Sequence, residues 1–105
     1  MDPLAATVSP QCFELAGEAA RLHGARLTIG DRELRLTPRE RMLLEAMVAA
    51  GGAVLSKRTL SQVAFAGAVS EHAVEVTVNR LRVKLGPAAV ALETSNRRGY
   101  RLAVA

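Results

Sequence analysis

Two periodicities divide the chain. Between Cys12 and Thr37 apolar and polar residues alternate, as in ARLTI (25–29) and ELRLT (33–37), with the hairpin signal Gly30-Asp31 between them. The alternation predicts antiparallel strands whose Leu27, Ile29, Leu34 and Leu36 face a core. FEL (13–15) and the residues around Leu22 continue the pattern into further strands, although Glu18-Ala19-Ala20 also fits a helix. From Thr37 onward the period lengthens to that of an α-helix.

Three helices are predicted. Thr37-Pro38-Arg39-Glu40 marks the first start: the threonine hydroxyl accepts from first-turn amides, proline at the first helical position loses no bond, and Glu40 reaches back to cap. Leu43, Leu44, Met47 and Val48 form its apolar stripe, and Gly51-Gly52 ends it. After the short apolar segment AVL, Ser56 caps a second helix running through about Ala66, with Leu60, Val63 and Ala64 inward and Gly67 interrupting it. Ser70 caps a third, which Gly86-Pro87 stops. The few residues separating helices two and three give helix-turn-helix spacing. AVALET and GYRLAV then predict a terminal hairpin around SNRR. Residues 1–12 hold Pro3 and Pro10 without any period and read as a flexible tail, which leaves 13–105 as one domain.

The third helix raises the functional question. At about 100° per residue, Val74, Val78, Leu81 and Leu85 share one narrow buried arc. Nearly opposite lie His72, Val76, Asn79 and Val83 with Arg80 beside them; Thr77 and Lys84 border the core on one flank, Glu75 and Arg82 on the other. A purely solvated face has little use for two valines. A helix in the DNA major groove uses such a mixture, because asparagine pairs with adenine, a small apolar group touches the thymine methyl, and flanking cations meet phosphates. The N-terminal half of such a helix points into the groove. His72, Glu75, Val76 and Asn79 are therefore the candidate base readers, Thr77, Arg80 and Arg82 the candidate phosphate contacts, and Val83 is assigned to packing. Taken singly, an exposed valine fits packing against the hairpin or a partner chain equally well, and a lone arginine fits plain solvation. Their joint placement beside a helix-turn-helix favours DNA. Arg97-Arg98 at the hairpin tip extend the reading to a cation in the adjacent minor groove.

Charge adds to this picture. The formal net charge is +4, and it runs from −1 over residues 1–36 through +2 over 37–69 to +3 over 70–105, so cations gather in the segment of the third helix and hairpin. The single cysteine, Cys12, rules out an internal disulfide and fits a reducing cytoplasm; no signal segment or membrane span is evident. Two dispersed histidines, His23 and His72, with one cysteine supply no nucleophile–base pair, so no catalytic residue, cofactor or metal site is expected. His72 and Glu75 have a metal-compatible spacing but no further ligands.

Taken together, GDRELRLTPRERMLLEAM, VLSKRTL, VEVTVNRLRVKLG and RRGYRL resemble the winged helix-turn-helix effector domains of OmpR/PhoB-type bacterial response regulators, over roughly residues 25–104. The resemblance implies an α+β fold: an N-terminal antiparallel sheet, three helices and a C-terminal β-hairpin wing. It implies sequence-specific binding of double-stranded DNA to regulate transcription, with the recognition helix (70–85) in the major groove, the wing (95–99) near the minor groove, and two copies on tandem half-sites. His72, Glu75, Val76, Thr77, Asn79, Arg80 and Arg82 fall where such domains contact DNA, and Arg98 falls on the wing. Three features depart from the family pattern. Phe65 replaces a tryptophan, AGAVSEH is shorter than the loop that often touches RNA polymerase, and Asn96-Arg97 replaces Arg-Gly in the wing.

The competing class is a winged-helix adaptor that docks RNA polymerase or another regulator through its exposed valines. Salt separates the two. Neutralising about five phosphates gives a slope of log K on log salt of about −4 to −5, whereas docking through valines is nearly insensitive to salt.

Overall fold

The computed structural model describes residues 11–65 and 71–105. Four strands, β1 (Gln11–Leu15), β2 (Glu18–His23), β3 (Arg26–Ile29) and β4 (Arg32–Arg35), form an antiparallel meander in the order β1-β2-β3-β4. Alternation decides which face is buried: Phe13, Leu15, Ala20, Leu22, Leu27 and Ile29 are inside, and their neighbours stay wet. The segment Glu18-Ala19-Ala20 resolves as strand, since only that period buries Ala20 and Leu22 on one side. β1 begins at Gln11, paired with Leu22, so Gln11 and Cys12 belong to the sheet and not to the tail. Its other edge holds the chain end, where the Glu14 amide donates to the Ala105 carbonyl at 2.8 Å.

Helix α1 (Pro38–Ala49) opens with the expected reciprocal cap. The Glu40 amide donates to Thr37 Oγ1 at 3.2 Å, and the Thr37 amide donates to Glu40 Oε1 at 2.9 Å. α2 (Lys57–Phe65) starts after Ser56, whose Oγ accepts from the Thr59 amide at 3.0 Å. Leu60, Ser61, Ala64 and Phe65 are its buried residues. Val63 was expected inside but is 45% exposed, because the buried arc of α2 is centred on the 60–61–64–65 side. The guanidinium of Arg39 covers the Phe65 ring at 4.5 Å.

α3 (Glu71–Leu85) buries Val74, Val78, Leu81 and Leu85 completely, as its periodicity predicts. The expected second-helix end at Ala66, the interruption at Gly67 and the Ser70 cap lie outside the described residues. Gly86, at φ +57°, ends α3 in the left-handed conformation, and a 3₁₀ helix follows at Gly86–Ala91. This corrects the first half of the strand expected over AVALET: residues 89–91 are 3₁₀ helix, and the strand begins at Leu92. Pro87 starts a new turn, and small Ala88 and Ala91 fit against the core where alternating large side chains would not.

The terminal hairpin is β5 (Leu92–Ser95) with β6 (Gly99–Leu102). A third backbone segment joins it: the Leu55 amide donates to the Tyr100 carbonyl at 2.8 Å, and the Tyr100 amide donates back to Leu55 at 2.9 Å. Gly99 is required at this junction, because a Cβ there would lie 1.9 Å from the Leu55 carbonyl oxygen. Among the described residues, no helix is long and apolar enough to cross a membrane.

Candidate nucleic-acid interface

The C-terminal end of α3 is anchored from two sides. Lys84 Nζ donates to Glu40 Oε1 at 2.6 Å and to the Arg35 carbonyl at 3.0 Å, while Arg32 Nη2 donates to the Leu85 carbonyl at 3.1 Å. Glu40 is buried; burial alone would raise its pKa, but Lys84 and the Thr37 bonds outweigh it, and the carboxyl is held below its ordinary range. A buried carboxylate thus joins the cap of α1 to the last turn of α3.

The N-terminal end of α3 is fixed by Glu75, whose Oε1 accepts from Lys57 Nζ at 2.5 Å and whose Oε2 lies 3.6 Å from His72 Nδ1. The hydrogen bond from Lys57 holds the Glu75 carboxyl below the usual carboxylate range, and Glu75 raises Lys57 in turn. Glu75, expected as a base reader, is half-buried and ties α2 to α3 through Lys57.

Two of the expected phosphate contacts, Thr77 and Arg82, have partners within the fold. Thr77 is buried, and its hydroxyl donates to the Ala73 carbonyl at 2.9 Å, so it does not reach the outer face. The helical arc put it at the border of the core; packing against neighbouring elements widens the buried arc to include it. Arg82 folds onto the hairpin: Nη2 donates to the Leu92 carbonyl at 3.2 Å and to Thr94 Oγ1 at 2.5 Å, and the guanidinium lies 5.8 Å from the Tyr100 ring centroid. It is a strut between α3 and the β5–β6 hairpin.

Four predicted residues share the open face of α3. His72, Asn79 and Arg80 are exposed and Val76 is half-buried beside them. Asn79 Oδ1 accepts from Arg82 Nη1 at 3.5 Å, and among the described residues the amide has no other partner, so its second oxygen lone pair and its NH₂ group can still make a bidentate pair. Arg80 has no partner among the described residues. Val83, expected to pack, is 82% exposed, and Val90 in the 3₁₀ helix is 75% exposed.

At the wing tip Arg97 and Arg98 are exposed, and the Arg98 amide donates to the Ser95 carbonyl at 3.0 Å to close the turn. Arg97 sits at φ +62°, a conformation that glycine adopts at no steric cost and arginine does not. The same residues face the start of α2: Lys57, Arg58, Glu71, Arg97, Arg98 and Ser56 line a cleft of ≈ 290 Å³. Lys57 and Arg58 were not singled out from the sequence. A signal was present, because two cations and no acid in a first helical turn oppose the helix dipole unless an anion comes from elsewhere.

The family model described as "Transcriptional regulatory protein, C terminal" matches residues 31–102. A comparison with curated protein sequences found no match. Among solved structures, the chain is similar to the DNA-binding domain of Escherichia coli CadC, at 27% identity and a TM-score of 0.74 over 90% of this chain and 94% of that one. It is similar to the DNA-binding domain of E. coli CpxR, at 25% identity and a TM-score of 0.72 over 88% of this chain and 95% of that one. The DNA-binding domain of the response regulator AdeR, solved in complex with an intercistronic region, matches at 25% identity and a TM-score of 0.68 over 75% of this chain and 85% of that one.

Proposed function

We propose, from the premise that this chain belongs to the family of transcriptional regulatory protein C-terminal domains, a specific division of labour on its DNA face. The chain is a winged helix-turn-helix domain that binds double-stranded DNA sequence-specifically to regulate transcription, and its family is not an enzyme family. His72, Val76 and Asn79 read base edges in the major groove. Arg58, Arg80, Arg97 and Arg98 meet phosphates or the minor groove, and Glu75, Thr77 and Arg82 hold the reading surface in shape. The binding unit is residues 11–105, and two copies occupy tandem half-sites.

The observation that carries this reading is the outer face of α3, where an exposed asparagine amide and a half-buried valine lie beside an arginine that has no partner among the described residues. Arg58, Arg80, Arg97 and Arg98, each without an ion pair among the described residues, give a slope of log K on log salt of about −3 to −4. Selection of bound duplexes from a random pool at moderate salt tests the reading, and a repeated short motif is expected. On that motif Asn79→Ala costs about 1–3 kcal/mol and relaxes specificity. Equal loss on every sequence contradicts a base-reading Asn79.

A second reading, an adaptor that docks RNA polymerase or another regulator, is favoured by the exposure of Val83 and Val90. Binding of a partner protein that is insensitive to salt and lost in Val83→Ser would support it.

A further inference from the structure

The outer face of the sheet carries cations that the DNA face does not use. Register places His23 opposite Arg26, and Arg26 opposite Arg35, so three side chains stand side by side across β2, β3 and β4. Adjacent strands are about 5 Å apart, which makes this a continuous row. In the next row Arg21 stands opposite Thr28, and Thr28 opposite Glu33. Like charges directly opposed across strands destabilise a sheet. Glu33 relieves only Arg26, through an Nε–Oε1 contact of 3.0 Å. The side chains of Arg21, His23 and Arg35 are exposed and have no ion pair among the described residues.

These side chains enclose two open clefts with a common wall. One, of ≈ 300 Å³, lies between His23, Ala25, Arg26 and Arg35; the other, of ≈ 230 Å³, lies between Arg21, His23, Arg26, Thr28 and Glu33. We propose that this face docks an acidic segment of a partner protein, whose carboxylates enter the two clefts and pair with Arg21, Arg26 and Arg35. The chemistry is already present in miniature, since Glu33 engages Arg26 as a partner's glutamate would. Guanidinium groups hold carboxylates through paired N–H donors, and a rigid sheet keeps three of them at fixed spacing. A nucleic acid fits less well. Among the described residues the face presents no Phe, Tyr or Trp on which a base could stack, only the smaller His23 ring, and no helix projects from it into a groove. It also belongs to neither α3 nor the wing.

The test titrates the whole chain with fluorescein-labelled oligoglutamate at low salt, with oligoglutamine of equal length as control. Oligoglutamate is expected to bind and to move amide signals of β2, β3 and β4, while oligoglutamine does neither. Arg26→Gln with Arg35→Gln should weaken oligoglutamate at least about tenfold. Binding of a selected duplex should stay within about twofold, and an unchanged melting curve shows that the variant is folded. Three results would overturn the proposal: oligoglutamate moving the signals of α3 or the wing instead, the double variant binding it unchanged, or inorganic phosphate or a random duplex displacing it from the same arginines.

Discussion

Replacing Arg97 by glycine separates what the wing tip does for the fold from what it does for DNA. Arg97 holds φ +62°, which costs an L-residue about 1–2 kcal/mol. Glycine escapes that cost but loses about 0.5–1 kcal/mol more chain entropy on folding. The difference leaves Arg97→Gly more stable by about 0.5–1 kcal/mol, a rise in Tm of about 2–8 °C for a domain of this size. DNA binding moves the other way. One free guanidinium is removed, so the slope of log K on log salt becomes shallower by about 0.9. Thermal melts by circular dichroism and a salt series of fluorescence anisotropy on one duplex read the two effects. Arg97→Ala keeps the backbone cost and loses the charge, so it should shift the slope equally without raising Tm. Arg97→Gly melting at or below the native chain would refute the claim that the turn stores strain there. An unchanged slope in both variants would refute the phosphate contact.

Gly99→Ala forces a Cβ to within 1.9 Å of the Leu55 carbonyl oxygen and should cost about 3 kcal/mol or more, read from urea denaturation; near-native stability would show that the junction yields. The folded pKa of Glu40 lies below its ordinary 4.5, so the stability it provides is present above that value and lost as pH falls through the folded pKa. Below pH 4.5 the urea midpoint should therefore fall more steeply for the native chain than for Glu40→Gln. Arg82→Ala should lower stability by about 1–3 kcal/mol and change the salt slope less than Arg80→Ala does, which the same melts and anisotropy series compare.

What the sequence made legible was local. The cap at Thr37 and Glu40, the buried stripe of α3 and the stop at Gly86 are each decided within a few residues, and each stands where its pattern put it. The long side chains were not legible, because their partners are distant in the chain. Lys84 meets Glu40, Glu75 meets Lys57 and Arg82 meets Leu92, and no periodicity registers such pairs. For that reason the basic C-terminal third overstated the charge available to DNA. Among the described residues the side chains of Arg80, Arg97 and Arg98 have no partner, whereas Arg82, Lys84 and Arg101 are engaged within the fold. Thr77 was misplaced for a related reason: a helical wheel gives direction but not how far neighbouring elements close over a flank.

The guanidinium bridge from Arg82 to β5, together with the Leu55–Tyr100 pairing, makes the third helix, the hairpin and the start of α2 one rigid gauge. A gauge of fixed length measures spacing as well as identity. A target in which one base pair is inserted between the two grooves should be rejected even when every contacted base is kept, because the turn of the duplex would carry one subsite out of reach.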